Sequence, residues 1–207
     1  MTEIEYTALC TLDDVTTQAG GKIGPIEDDQ HIENAITEIY GVRDEAEAVL
    51  DRLLIVRKHS QYIETSDWVY EKGQWRCWAE HYPVVEVKLP ATGVTAAGEF
   101  FYTTQPIDYE IEYYAGYRRR DTDLTDLVND HGLSDLTIEP PILPDLLRSL
   151  SIDGVLYYLE RRTRGIATST TTQLQQGGAI QQVAPVDPQW FTRELNRRAA
   201  AYRRFSH

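Results

Sequence analysis

The hydrophobic period of this chain changes partway along, and that change limits what it can fold into. From about Asp29 to Lys58 the apolar residues Ile32, Ala35/Ile36, Ile39, Val42, Ala46, Val49/Leu50 and Leu53 recur every three to four positions. That spacing predicts one long helix, capped by Asp28 or Asp29 and kinked or broken at Gly41. From Gln61 to Val94 the period becomes two, in runs such as Trp68-Val-Tyr70, Gln74-Trp-Arg-Cys-Trp78 and Val84-Val-Glu-Val-Lys-Leu89. Aromatic and β-branched residues in alternation predict strands. Lys72-Gly73 marks a hairpin turn, and Pro83 opens a strand where no ladder donor is needed. Phe100-Phe-Tyr102 and Tyr109 to Tyr114 complete the β region after a small-residue loop, Pro90 to Gly98.

Helices are expected on both sides of this block. Residues 11–19 read as a short helix with Thr11 or Asp13 as N-cap and Gly20-Gly21 as its stop. Pro144 suits the first turn of a core helix lined by Leu143, Leu147, Leu150, Gly154 and Tyr157. Arg161, Arg162 and Arg164 complement its C-terminal dipole, and Gly165 ends it. Asp187-Pro188 starts a last helix running to about Phe205, with Phe191, Leu195, Ala199 and Tyr202 on one face. Residues 118–142 read as a polar surface insert. Asp121, Asp123, Asp126 and Asp130 resemble a calcium loop only in part, since the glycine and the closing glutamate are missing. The expected class is mainly α with a small β region. Residues 1–165 form a body, 166–186 an uncharged flexible arm or strand that orders on a partner, and 187–207 a basic helix.

Charge separates these parts. The formal net charge is −13. Residues 161–207 carry eight arginines against two acids, Asp187 and Glu194, so a tail of net +6 follows a body of net −19. The body repels nucleic acid, which leaves the tail as the only candidate for such contact, and the split also suits complementary neighbours in an assembly. Lysine occurs only at 22, 58, 72 and 88. An acidic, lysine-poor composition fits a salt-loving host. The acidic N-terminus lacks the pattern of a signal peptide, and no run is apolar enough to span a membrane, so a cytoplasmic site of synthesis is expected. Cys10 and Cys77 then read as separate thiols.

No catalytic pattern emerges. The chain has no phosphate-binding glycine loop, no Gly-x-Ser-x-Gly and no His-Glu-x-x-His. His31, His59, His81 and His131 stand alone in polar surroundings, with no hint of a zinc site. The expectation is a non-enzyme without metal or cofactor. Trp68, Trp75 and Trp78 read as the core of a small sheet more readily than as a stacking platform.

The order of parts resembles the head–tail connector (adaptor) proteins of tailed viruses. A Leu-Asp-Asp opening is present at Thr11-Leu-Asp-Asp14, and a polar loop, Glu27-Asp-Asp29, leads into the long helix. The strand Tyr82-Pro-Val-Val-Glu-Val87 follows, then a strand ending in Tyr113-Tyr-Ala-Gly-Tyr117, then Leu143-Pro144 before a helix. The resemblance covers about residues 11–165. It implies a helical bundle with a small β region, assembled as a ring of about twelve copies. It also implies docking on a portal protein above and on a stopper or tail-tube protein below. DNA passes through the lumen without specific binding, and no membrane is involved. The site is the virion neck, assembled in the host cytoplasm. The terminal helix is the expected portal-docking element, through Trp190, Phe191, Arg193, Arg197, Arg198, Tyr202, Arg203 and Arg204. The alternatives are a nucleic-acid-binding protein acting through that basic helix and an enzyme of an unrecognised kind.

Overall fold

A computed structural model describes residues 7–19, 29–52, 54–90, 92–129, 131, 133–163, 173–176, 179–182, 187 and 189–202. The chain divides into two compact units. One takes Cys10–Asp51 and the chain from Asp145 onward, and the other takes Arg52–Pro144.

The first unit is helical. Helix α1, Leu12–Ala19, starts on a reciprocal cap. The Asp14 N–H donates to Thr11 Oγ1 at 3.1 Å and the Thr11 N–H to Asp14 Oδ2 at 3.0 Å, satisfying two donors that a helix start leaves orphaned. Helix α2, Asp29–Leu50, buries Ala35, Ile39, Val42, Ala46 and Leu50, the stripe expected of it. It passes Gly41 unbroken, with that glycine on the exposed side. It does not reach Lys58. Asp51 turns to φ 52°, and Leu54, Ile55 and Val56 are all fully buried. A run of consecutive apolar residues suits chain buried on every side, not an amphipathic helix.

Helix α4, Asp145–Thr163, packs on α2 and on helix α5, Trp190–Arg198. Gly154 makes the close approach possible. A Cβ there would sit 2.8 Å from a Phe191 ring carbon and 3.2 Å from Val42 Cγ2. Helix α5 is shorter than expected: it begins at Trp190, and a 3-10 turn, Ala200–Tyr202, follows it. Between α4 and α5, strands β8 (Gln173–Gln176) and β9 (Ala179–Gln182) pair as an antiparallel hairpin. The Gly165 stop and the rest of the expected arm lie outside the described residues.

The second unit holds seven strands: β1 Arg57–Ile63, β2 Val69–Glu71, β3 Gln74–Trp78, β4 Val84–Leu89, β5 Val94–Ala97, β6 Phe100–Thr103 and β7 Tyr109–Ala115. They form two antiparallel sheets, ordered β1-β7-β4 and β2-β3-β6-β5. The β2–β3 turn is Lys72-Gly73, both at positive φ, as a two-residue hairpin loop requires. Ile63, Trp68, Cys77, Phe101, Ile111 and Tyr113 share one core. The architecture is therefore α+β, with four of the α-helices in one unit and seven strands in the other, which corrects the mainly-α expectation. The physical reason is that the alternating block continues to Ala115 and closes its own core, so it is not an accessory of a bundle.

The 118–142 segment is also more than a polar insert. It carries helix α3, Leu124–Asn129, capped by Asp123 and Asp126, each accepting the other's backbone N–H at 2.9 Å. Leu127, Leu133 and Leu136 are buried with Val56 and Tyr114. Because Tyr113 and Ala115 face one core and Tyr114 the other, this segment covers the second face of the β1-β7-β4 sheet. Thr137 donates from N at 2.9 Å and from Oγ1 at 2.6 Å to Glu86 on β4, tying the cover down.

Candidate assembly surface

The strand ending Tyr113-Tyr-Ala-Gly-Tyr117 is explained by backbone contact. Gly116 has φ 118°, and a Cβ there would lie 2.7 Å from the Ile55 carbonyl carbon. Either condition alone selects glycine. The flanking ladder runs from the Val56 N–H to the Tyr117 carbonyl and from the Tyr117 N–H to the Leu54 carbonyl, each 2.8 Å. Arg52 is buried beside it, its guanidinium 4.0 Å from the Tyr82 ring centroid and donating to the Tyr82 carbonyl at 2.5 Å.

The residues expected to dock on a portal divide by face. Phe191 is fully buried against α4, along with Leu195 and Ala199. Trp190 stacks on Tyr157, centroids 4.7 Å apart. Arg193 pairs with Asp187, and Arg197 with Glu194 at 2.6 Å. Arg198 is exposed and Tyr202 half-buried, while Arg203 and Arg204 lie outside the described residues. Glu45 on α2 holds the helix in place by accepting from Thr192 Oγ1 and, at 2.7 Å, from the Tyr158 hydroxyl. Burial and that carboxylate together raise the Tyr158 pKa. The apolar side of α5 is thus used within its own unit, and what it offers outward is arginine.

The exposed apolar groups are elsewhere. Among the described residues the large exposed hydrophobics are Tyr62, Val69, Tyr70, Trp78, Leu89, Ile107, Ile138 and Ile142, all in the strand unit. They include part of an aromatic layer on the outer face of the β2-β3-β6-β5 sheet. Trp78, 39% exposed, lies 4.1 Å from the Phe100 ring, Phe100 lies 6.2 Å from Tyr102, and Arg76 stacks on Phe100 at 4.7 Å. Arg76 is neutralised by Glu71 at 2.6 Å. A one-sided antiparallel sheet ordinarily presents polar residues to water. Here the outer face sets three aromatics and a stacked arginine among Glu71, Gln74 and Thr95, a mixture that suits a protein contact. Of the three tryptophans, Trp68 is buried and Trp75 packs on the core, while Trp78 joins this outer layer.

Among the described residues no group of His, Cys, Asp and Glu is placed to hold a metal, and no helix is long and apolar enough to cross a membrane. Cys10 and Cys77 are buried and form no disulfide with each other, and burial pushes the Cys77 thiol up to about 11, against nucleophilic use. His59 and His81, solitary in sequence, stack at 4.1 Å. Burial first, then the charges of His81 and Arg57, lower the His59 pKa to about 4. No protein-family model and no curated protein matches the chain.

Proposed function

We propose that this chain is a structural head–tail connector (adaptor) subunit of a tailed virus, forming a ring that joins the portal to the neck and lets DNA pass. The observation that carries the reading is the order of the short motifs, each of which falls at a structural junction. Thr11-Leu-Asp-Asp14 is the cap of α1, and Asp29 opens α2. Tyr82 to Val87 leads into and through most of β4, Tyr113 to Tyr117 ends β7 at the Gly116 crossing, and Leu143-Pro144 precedes α4. Motifs that set caps and crossings constrain the course of the backbone, so their order is informative even where each one is short. The outward aromatic layer supports protein contact, and the acidic body suits a passage along which DNA slides without binding.

The test is to purify the chain with portal complexes and to analyse virions for it. Co-assembly with the portal and density at the virion neck are the expected results. Absence from virions together with no portal binding sinks the reading. If the chain instead retains duplex DNA, with affinity falling steeply as salt rises and vanishing on truncation at Gly165, the nucleic-acid reading replaces it.

A further inference from the structure

The segment between β3 and β4 is anchored on either side of Glu80-His81. Ala79 is buried and its N–H donates to the Glu99 carbonyl at 2.9 Å, while the buried Arg52 holds Tyr82 by its carbonyl and its ring. Between these points Glu80 is exposed and His81 half-buried. Side chains of the β1-β7-β4 sheet hold the pair. The Glu80 N–H donates to Gln61 Oε1 at 2.9 Å and the His81 N–H to the Tyr113 hydroxyl at 3.2 Å. Tyr113 in turn donates to Gln61 Oε1 at 3.4 Å, and Gln61 donates from Nε2 to the Trp78 carbonyl at 3.1 Å. Against this network His59 on β1 stacks its ring on that of His81, centroids 4.1 Å apart and 30° from parallel, with the Tyr113 ring at 5.6 Å. The His59 Nε2 is buried without a hydrogen-bond partner.

A neutral imidazole fits that place and an imidazolium does not. Protonation puts a charged N–H where Nε2 has no acceptor, and a buried charge is costly unless it is paired. The titratable and charged groups around it are Arg57 on its own strand, Tyr113 on β7, and His81 with the adjacent, exposed Glu80 on the segment. Burial acts first against a positive His59, then His81, then Arg57. Lifting two residues costs a few side-chain hydrogen bonds, whereas unfolding the strand unit costs its whole core, so local opening comes first. We propose that Glu80-His81 is an acid-released latch: protonation of His59 drives these two residues off β1 and β7 while the rest of the strand unit stays folded. Water then reaches His59, and the two rings separate. The Gln61 bond to Trp78 belongs to the same network, so release also frees the end of β3 that carries Trp78 of the outer aromatic layer. The latch stands apart from the connector reading.

The experiment follows the full chain by NMR from about pH 7 to about pH 5, above the range where ordinary carboxylates titrate. It reads hydrogen exchange of the Glu80 and His81 amides, each relative to its intrinsic rate at that pH. Because opening lets His59 take up a proton, exchange of both amides is expected to rise about tenfold or more across this window. The Phe101 and Ile111 amides in the core should stay protected. His59→Gln removes the titrating group and should flatten the rise. Gln61→Ala, at a half-buried position, removes an anchor of the latch and should leave both amides exchanging fast already at the upper pH. Four results each overturn the inference: exchange in the native chain that ignores pH, the same rise in His59→Gln, native-like protection in Gln61→Ala, or loss of protection at Phe101 in step with Glu80. Absence of the chain from virions counts against the connector reading alone.

Discussion

The two units solve the same problem in different ways. The helical unit turns its apolar stripes inward, and Gly154 lets α2, α4 and α5 close until Phe191 and Val42 meet at one spot. Among the described residues it leaves no large hydrophobic exposed. The strand unit closes a core of its own and covers the second face of one sheet with the 118–142 segment, yet leaves Trp78, Tyr70, Val69 and Tyr62 outside, the last at 62% exposure. Burying apolar area stabilises by roughly 25 cal/mol per Å², so apolar groups left on the surface are contact area held in reserve. The lesson is that the basic helix, the conspicuous feature of the sequence, spends its aromatic anchor inside its own unit, while the strand unit carries the apolar surface.

The sharpest way to break this comparison is at Phe191. If it is core, Phe191→Ala destabilises the helical unit by about 3–5 kcal/mol, read as a lower denaturant midpoint. If it instead docks on a partner, the midpoint holds and only assembly weakens. Next comes the glycine contrast. Gly116→Ala puts a methyl onto the Ile55 backbone at positive φ and should cost about 3 kcal/mol in the strand unit. Gly41→Ala, on the exposed side of α2 with nothing nearer than 4.0 Å, should stabilise by about 1 kcal/mol. Equal effects in the two variants would mean that the Tyr-Ala-Gly-Tyr crossing is not constrained as described.

These cases also mark what the sequence could tell. The Thr11 cap, the α2 stripe, the Lys72-Gly73 turn and the α4 face are local, set by spacing over a few residues, and all are visible in the bare chain. The end of α2 was not, because Leu53-Leu-Ile-Val56 continues an apolar pattern that helix and buried strand share. The cover at 118–142 was hidden because Leu127, Leu133 and Leu136 sit among aspartates and gain their meaning only from Tyr114 on β7. Of the acids there, Asp123 and Asp126 cap α3, while Asp121 pairs with Arg119. The His59–His81 stack joins β1 to the loop before β4, and nothing local announces it. For α5, amphipathicity was legible, but which side is covered depends on Gly154, far away in the chain.

The histidine stack gives a pH test confined to the strand unit. The folded pKa of His59 lies at about 4 against an ordinary 6.5, so the unfolded chain binds more protons between those values. The stability tied to neutral His59 is therefore complete above pH 6.5 and is lost as pH falls towards 4. Allowing for its partial exposure, the loss is roughly 2 kcal/mol. His59→Gln should flatten the stability profile between pH 6.5 and 5, above the range where carboxylates such as Asp14 and Asp135 titrate. An unchanged slope would show that burial beside His81 does not hold His59 neutral.

The smallest effects on folding should come from the outward residues, and they separate the two surfaces. Arg197→Ala removes an exposed ion pair one helical turn apart and should leave the denaturant midpoint unchanged. Trp78→Ala trims an exposed ring and should cost under about 1 kcal/mol, because the core beneath it is built from Phe101 and Cys77 on the opposite face. Their effects on assembly should differ. Losing Trp78 removes an aromatic from an apolar contact and should weaken association about tenfold or more at any salt. Losing Arg197 from a charged rim should matter only at low salt, mainly by slowing association. Sedimentation of both variants at low and high salt reads the difference. If Arg197→Ala proves the more damaging at high salt, the contact surface lies on the helical unit, and the reserve assigned to the strand unit is ordinary exposed area.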